Sequence, residues 1–203
     1  MNQECLLLFS LLLLVPACSS NVVVSPKAMS FSKKKVAVIN TGNTVEVPFK
    51  SFFLIGGTYD NAMDATPYVR NNLMASGLYE VITREHLESI LEEHKLSATD
   101  MIAPNRAAEI GKLAGLDAIV FVKSERPGIW IFPFFDEWGV GSVEMIDVST
   151  GSVMWSGVAK QHFFMIVPLF YDVFFDSGEW CADTIVNEVN SKIKLMQNDV
   201  EKQ

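Results

Sequence analysis

The sequence predicts a single-domain α/β fold, a mixed sheet with parallel crossovers plus an antiparallel hairpin and helices packed on the sheet. Three observations predict it. Lys35–Asn40 and Asp117–Lys123 are strongly apolar runs that read as buried strands, with Leu78–Ile82 as a third. Stretches of helical periodicity lie between and after them. Gly139–Lys160 reads as a hairpin whose turn is Ser149-Thr150-Gly151, with a positive φ expected at Gly151.

Taken in order, Lys35–Asn40 ends at Thr41-Gly42-Asn43. Thr44–Ile55 has room for a short edge strand, since Pro48 excludes a central one, and Gly56-Gly57 should break it. A helix then ends near Ser76 with Val69, Leu73 and Ser76 on one face. Thr66-Pro67 supplies either its cap and first residue or part of its opening turns. Gly77 ends it. Thr83 caps a helix to about His94, in which Leu87, Ile90, Leu91 and His94 form a stripe. Ser97–Pro104 reads as a loop. Asn105 caps a short helix to Ala114, closed by Gly115. In the hairpin, Val143 and Met145 alternate against Glu144 and Ile146, and the second arm carries Val153, Trp155 and Val158. Asp176-Ser177-Gly178-Glu179 fits a capping pattern. The last helix runs to about Met196 on a buried stripe of Ala182, Ile185, Val186, Val189, Ile193 and Met196.

Two aromatic segments flank the hairpin, Arg126–Trp138 and Gln161–Asp176. They hold 11 of the chain's 22 aromatic residues. Antiparallel pairing places the start of one arm beside the end of the other, so both segments must leave the same end of the sheet, side by side. The candidate contact surface is Trp130, Phe132, Phe134, Phe135, Trp138, Phe163, Phe164, Phe170 and Tyr171. Two readings of it stay open. The segments fold back and fill the core, or they form a patch for a membrane, a partner or a ring neighbour.

The first 17 residues read as a signal peptide. Leu6–Val15 is apolar except for Ser10, too short for a transmembrane helix, which takes about 20 residues. It runs into Pro16-Ala17-Cys18-Ser19-Ser20, which resembles a bacterial lipobox. That resemblance implies cleavage between Ala17 and Cys18, lipid attachment at Cys18 and, from Ser19, an outer-membrane destination. Residues 18–33 would be the lipidated N-terminus and a short tether, 34–198 the α/β domain and 199–203 a polar tail. Cys5 goes with the leader and Cys18 is acylated, so Cys181 is expected as a small buried helix residue.

The net charge of −8, with Lys33-Lys34-Lys35 as the one basic run, argues against a nucleic-acid partner. His86 and His94 are eight apart and lack the spacing of a helix-borne metal pair. No GxSxG, P-loop or post-strand GxGxxG occurs. The expectation is therefore no catalytic residue, no metal, no cofactor and no small-molecule substrate. Partners would be the membrane, through the lipid anchor, and envelope proteins or further copies of the chain.

Three stretches resemble the curli-secretion lipoprotein (CsgG) family: SGLYEVITREHLESILEEHKLS, Ser76 to Ser97; AAEIGKLAGLDAIVFVKSE, Ala107 to Glu125; and IDVSTGSVMWSG, Ile146 to Gly157. The resemblance runs from Lys35 to about Met196 and implies a periplasmic mixed-sheet domain without enzymatic activity. It further implies a non-enzymatic accessory or assembly factor of the cell envelope. Alternatives are a secretion-channel subunit of curli-pore type or, through relatives such as LpoB, an activator of a peptidoglycan synthase. In the pore proteins, two membrane hairpins occupy the places of the two aromatic segments. A membrane strand takes roughly 9–11 residues, so segments of 13 and 16 residues, one holding Pro168, predict shortened loops that touch a bilayer or a neighbour rather than a full pore. A tether of about 15 residues is too short to reach across the periplasm.

Overall fold

The computed structural model describes residues 17–30, 33–42, 47–51, 56–60, 64–94, 104–125, 127–131, 134–166 and 177–201. The strands are β1 (Ala17–Val24), β2 (Lys34–Asn40), β3 (Val47–Ser51), β4 (Gly56–Asp60), β5 (Tyr79–Val81), β6 (Ala118–Glu125), β7 (Pro127–Ile131), β8 (Phe134–Asp147) and β9 (Val153–Ile166). The helices are α1 (Thr66–Ser76), α2 (Arg84–Glu93), α3 (Pro104–Leu113) and α4 (Ser177–Glu201), with a 3-10 turn at Pro26–Ser30. All nine strands join one sheet. β2 lies between β5 and β6 and is parallel to both, as the crossovers require. The rest of the sheet is antiparallel: β6 pairs β8, β8 pairs β9 and β9 pairs β1.

The periodic helices fall where their apolar stripes demand. α1 buries Val69 and Leu73 and ends at Gly77 with φ 69°, a left-handed position that suits glycine. Its opening follows the second sequence reading: Thr66 and Pro67 stand in the first turn behind Ala65, and Asp64 Oδ1 accepts from the Thr66 amide at 3.0 Å, two residues on. Thr83 caps α2 as expected, accepting from the His86 amide. His94 caps the other end of α2 and is exposed, not packed on the stripe. α3 begins at Pro104, one residue before the expected cap, and closes in a Schellman turn, with Leu116 N donating to Gly111 O and Gly115 N to Lys112 O. α4 runs to Glu201, beyond Met196, and buries Cys181, Ala182, Ile185, Val186, Val189 and Ile193.

Two stretches differ from the reading in kind. The expected tether is an edge strand: β1 pairs β9 from Ala17↔His162 to Val24↔Trp155. Its valines supply β propensity, and Val22 enters the core. Gly56-Gly57 does not break the chain but opens β4, between β3 and β7. β3 is the edge strand expected of Pro48, and its register slips between Val47 and Lys50, around the proline.

Two cores result. On one face, α1 and α4 cover Val36, Val120, Val122, Val143, Met145 and Trp155. On the other, Leu87 and Leu91 of α2 and Ile110 of α3 pack on Ala37, Ile39 and Ile119. Among the described residues, α3 meets this face of β8 at its turn end, beside Val148, while Trp138, Val153 and Val158 on the same face are exposed.

α4 approaches the sheet closely because small residues lie under it. A Cβ on Gly141 would stand 2.9 Å from Cys181 Cβ, and one on Gly157 would run into Ile185 and come within 3.0 Å of Val22. The hairpin turn forms as expected, with Gly151 at φ 67°. A β-bulge between Met145 and Ile146 adds one residue to β9, so both Met154 and Trp155 are buried. The bulge turns Val153 toward solvent along with Val158, while Trp155, Gly157, Ala159 and Gln161 face α4.

Asp147 holds the turn. Its carboxylate accepts from the Ser149 amide at 2.8 Å, the Ser149 hydroxyl at 2.7 Å and the Thr150 hydroxyl at 2.9 Å. Burial alone would raise its pKa, but these bonds outweigh burial and hold it below the usual carboxylate range. A depressed carboxylate stabilises the fold above its unfolded pKa, and that share is lost as pH falls through the folded value. Asp147→Ala should cost about 1.5–3 kcal/mol at neutral pH, with the difference from wild type shrinking in acid, measured by urea unfolding. Gly157→Val should cost about 1–3 kcal/mol in the same assay, because α4 must move away.

Candidate contact surface

The aromatic end is built by strand continuity. β6 and β7 share one register on β8: Glu125 faces Val140 and, three residues on, Gly128 faces Glu137. β9 follows β8 along its other edge through Trp138↔His162 to Phe134↔Ile166. The two flanking segments thus leave the same end side by side, as antiparallel pairing demanded. Over their described parts they do not fold back beneath the sheet. They extend it.

Of the nine expected contact residues, Trp138 is 37% exposed on the face away from α4. Trp130, Phe134, Phe135, Phe163 and Phe164 occupy neighbouring strand positions, with Trp130↔Phe135, Phe163↔Glu137 and Phe164↔Asp136 in register. Phe132, Phe170 and Tyr171 lie outside the described residues. Trp138 stacks on His162, ring centroids 5.2 Å apart and planes 21° from parallel. His162 Nε2 is paired with Asp136 Oδ1. His162 has no acidic neighbour in sequence; the register supplies one from the facing strand.

Sequence reasoning missed the aliphatic members. Ile129 is 38% and Ile131 47% exposed on β7, and Val158 is 42% exposed on β9. Register places Ile129, Ile131, Trp138, Val158 and His162 on the same sheet face. The signal was present in the alternation of Pro127-Gly128-Ile129-Trp130-Ile131, had that stretch been read as a strand.

The N-terminal candidates lie at this same end. Ala17 pairs with His162 and Cys18 with Gln161, so Cys18 is two strands from the β8 end that carries Trp138. β1 is held along its length. Ser20 Oγ donates to Glu188 Oε2 at 2.7 Å, and Lys192 Nζ donates to the Val22 carbonyl at 2.8 Å while pairing with Glu188 at 2.9 Å. The Ser20 bond, then Lys192, draws the Glu188 pKa below its ordinary value. Beyond β1, Ser25 N donates to Met154 O and Gln197 Nε2 to Met29 O.

A separate cavity of about 260 Å³ lies at the C-terminal end of β2. Its charged groups are matched: Arg84 pairs with Glu88 at 2.7 Å and with Asp64 at 3.9 Å. Among the described residues, no His, Cys, Asp and Glu cluster could hold a metal, and no helix is long and apolar enough to cross a membrane.

Glu188→Ala should free β1 at its middle. Amide exchange at Asn21–Val24 should quicken roughly threefold to tenfold while the β2 and β6 amides stay protected, as mass spectrometry of exchanged peptides would show.

No curated protein matches the chain. Solved structures do. The LpoB C-terminal domain from Salmonella enterica is 18% identical, with 66% of this chain and 84% of that one covered, at TM-score 0.41. The PelC dodecamer from Paraburkholderia phytofirmans is 15% identical, with 87% and 97% covered, at 0.43. Lipoprotein GNA1162 from Neisseria meningitidis is 14% identical, with 80% and 99% covered, at 0.48. The family described as curli production assembly/transport component CsgG matches from the 3-10 turn through most of β6, stopping before the aromatic strand ends. The chain is thus CsgG-like over residues 27–123, in keeping with the motifs at Ser76–Ser97 and Ala107–Glu125.

Proposed function

We propose that the chain is an envelope lipoprotein, anchored by acylation of Cys18 in the outer membrane and facing the periplasm. It acts by contact as an accessory or assembly factor, without catalysis. The observation that carries this reading is the sheet face at the aromatic end of β7, β8 and β9, with Ile129, Ile131, Trp138 and Val158 exposed on it. Apolar side chains gathered on one face mark a surface for a membrane or a partner. The lipobox-like Ala17-Cys18-Ser19 and the family match over residues 27–123 support the envelope setting.

Dimensions favour contact over crossing. Beyond Gly139, the end of β8, which connects back to β7 across residues 132 and 133, is the five residues Phe134–Trp138. At about 3.4 Å per residue they reach roughly 17 Å, near half of a ~30 Å hydrocarbon core. The docking of β1 also shortens any reach toward the inner membrane, which weighs against the peptidoglycan-synthase reading.

Radiolabelled palmitate should enter the wild-type protein and be lost in Cys18→Ala, which should leave the outer-membrane fraction. Label persisting in Cys18→Ala would refute anchoring at this residue. A detergent-stable ring that conducts ions in planar bilayers would replace the accessory reading with the channel.

A further inference from the structure

We infer that β1 is a rigid coupling between the acyl anchor and the aromatic strand ends, so that the lipid surface is met in one fixed orientation. This rests on the reading of Cys18 as acylated. The geometry behind it is the register: Cys18, the first residue left after cleavage, faces Gln161, and Gln161 faces Gly139 beside the Trp138↔His162 pair. Neighbouring strands are about 4.8 Å apart, so the anchor point sits about 10 Å from the β8 backbone that bears Trp138.

A free tether would not do this. Fifteen flexible residues wander over roughly 20 Å, enough to let a domain roll on the bilayer. Here that slack is taken up. Val22 is buried beside Gly157, Ser20 is bonded to Glu188, and the Val22 carbonyl is bonded to Lys192. Ala28 is buried just beyond, in the core beneath α4. The chain is therefore seated on the sheet from the acylated residue onward.

The occupant of the aromatic strand ends is then a lipid surface. Cys18 is in register with Gln161, a position on the α4 side of the sheet, whereas Ile129, Ile131 and Trp138 are on the other face; what they share is the end of the sheet, and acyl chains at Cys18 bring the bilayer to that end first. Asp136 and His162 pair with each other beside the stacked Trp138, so these polar side chains partner one another where the sheet approaches the headgroups. The exposed Ser149-Thr150 turn lies eleven residues along β8 and past its end from Trp138, roughly 35 Å away, and faces the aqueous side.

The test uses the full acylated lipoprotein in phosphatidylethanolamine–phosphatidylglycerol vesicles whose acyl chains carry bromine. Bromine quenches tryptophan emission only near contact. Wild type should float with the vesicles and be quenched, and Trp138→Phe should lose much of that quenching. A Gly/Ser insert of about ten residues between Ser19 and Ser20, reaching roughly 17 Å, should leave flotation intact and cut the Trp138 share of quenching about threefold or more. Glu188→Ala with Lys192→Ala, which releases β1 without an insertion, should do the same. Equal quenching in wild type and both variants would overturn the rigid coupling while leaving a membrane-facing surface. Flotation without quenching in wild type would overturn the surface itself, and failure to float would overturn the anchor.

Discussion

The register of β8 on β9 is the constraint from which the rest follows. It is set at one end by the Asp147 carboxylate, which gathers Ser149 and Thr150 into the turn, and by the bulge that slips one extra residue into β9. It is kept in the middle by α4, which sits so close over Gly141 and Gly157 that no other register would present hydrogens where the helix needs them. Because side chains alternate along a strand, a slip of one residue would put Gly157 outside and Val158 under Ile185. The same register decides what meets at the far end: Trp138 with His162, His162 with Ala17, and Cys18 with Gln161.

Much of this was legible in the residues. The apolar runs of β2 and β6, the Leu87–Leu91 stripe, the glycines at 77, 115 and 151 and the long stripe of α4 each obey a local rule, and the structure obeys it too. The side-by-side exit of the aromatic segments was legible as well, since it needs only the pairing sense of a hairpin.

The errors share a cause, which is pairing that only the tertiary structure supplies. Cys18–Val24 looks like a tether because its serines and asparagine carry no strand pattern; β9 and α4 make it a strand by offering an edge and a clasp. Gly56-Gly57 looks like a break, yet β3 and β7 recruit it from both sides. Which residues of β9 face inward was not read, because the bulge that turns Val153 outward has no compositional mark and the packing beyond it is done by the small residues Gly157 and Ala159. At the surface, aromatic density singled out this end of the fold as the candidate, but Ile129 and Ile131 emerged only with register.

The continuity of β6 with β7 along β8 has a mechanical consequence. The strand pairs that reach the exposed end are the same ones that run beneath α4. A force applied along the strands at that end is not met by one hydrogen bond after another, as when a zipper opens. It loads the ladder in shear, many bonds at once, and hands the load to the packed interior. The end that projects from the domain is thereby the one least easily peeled from it.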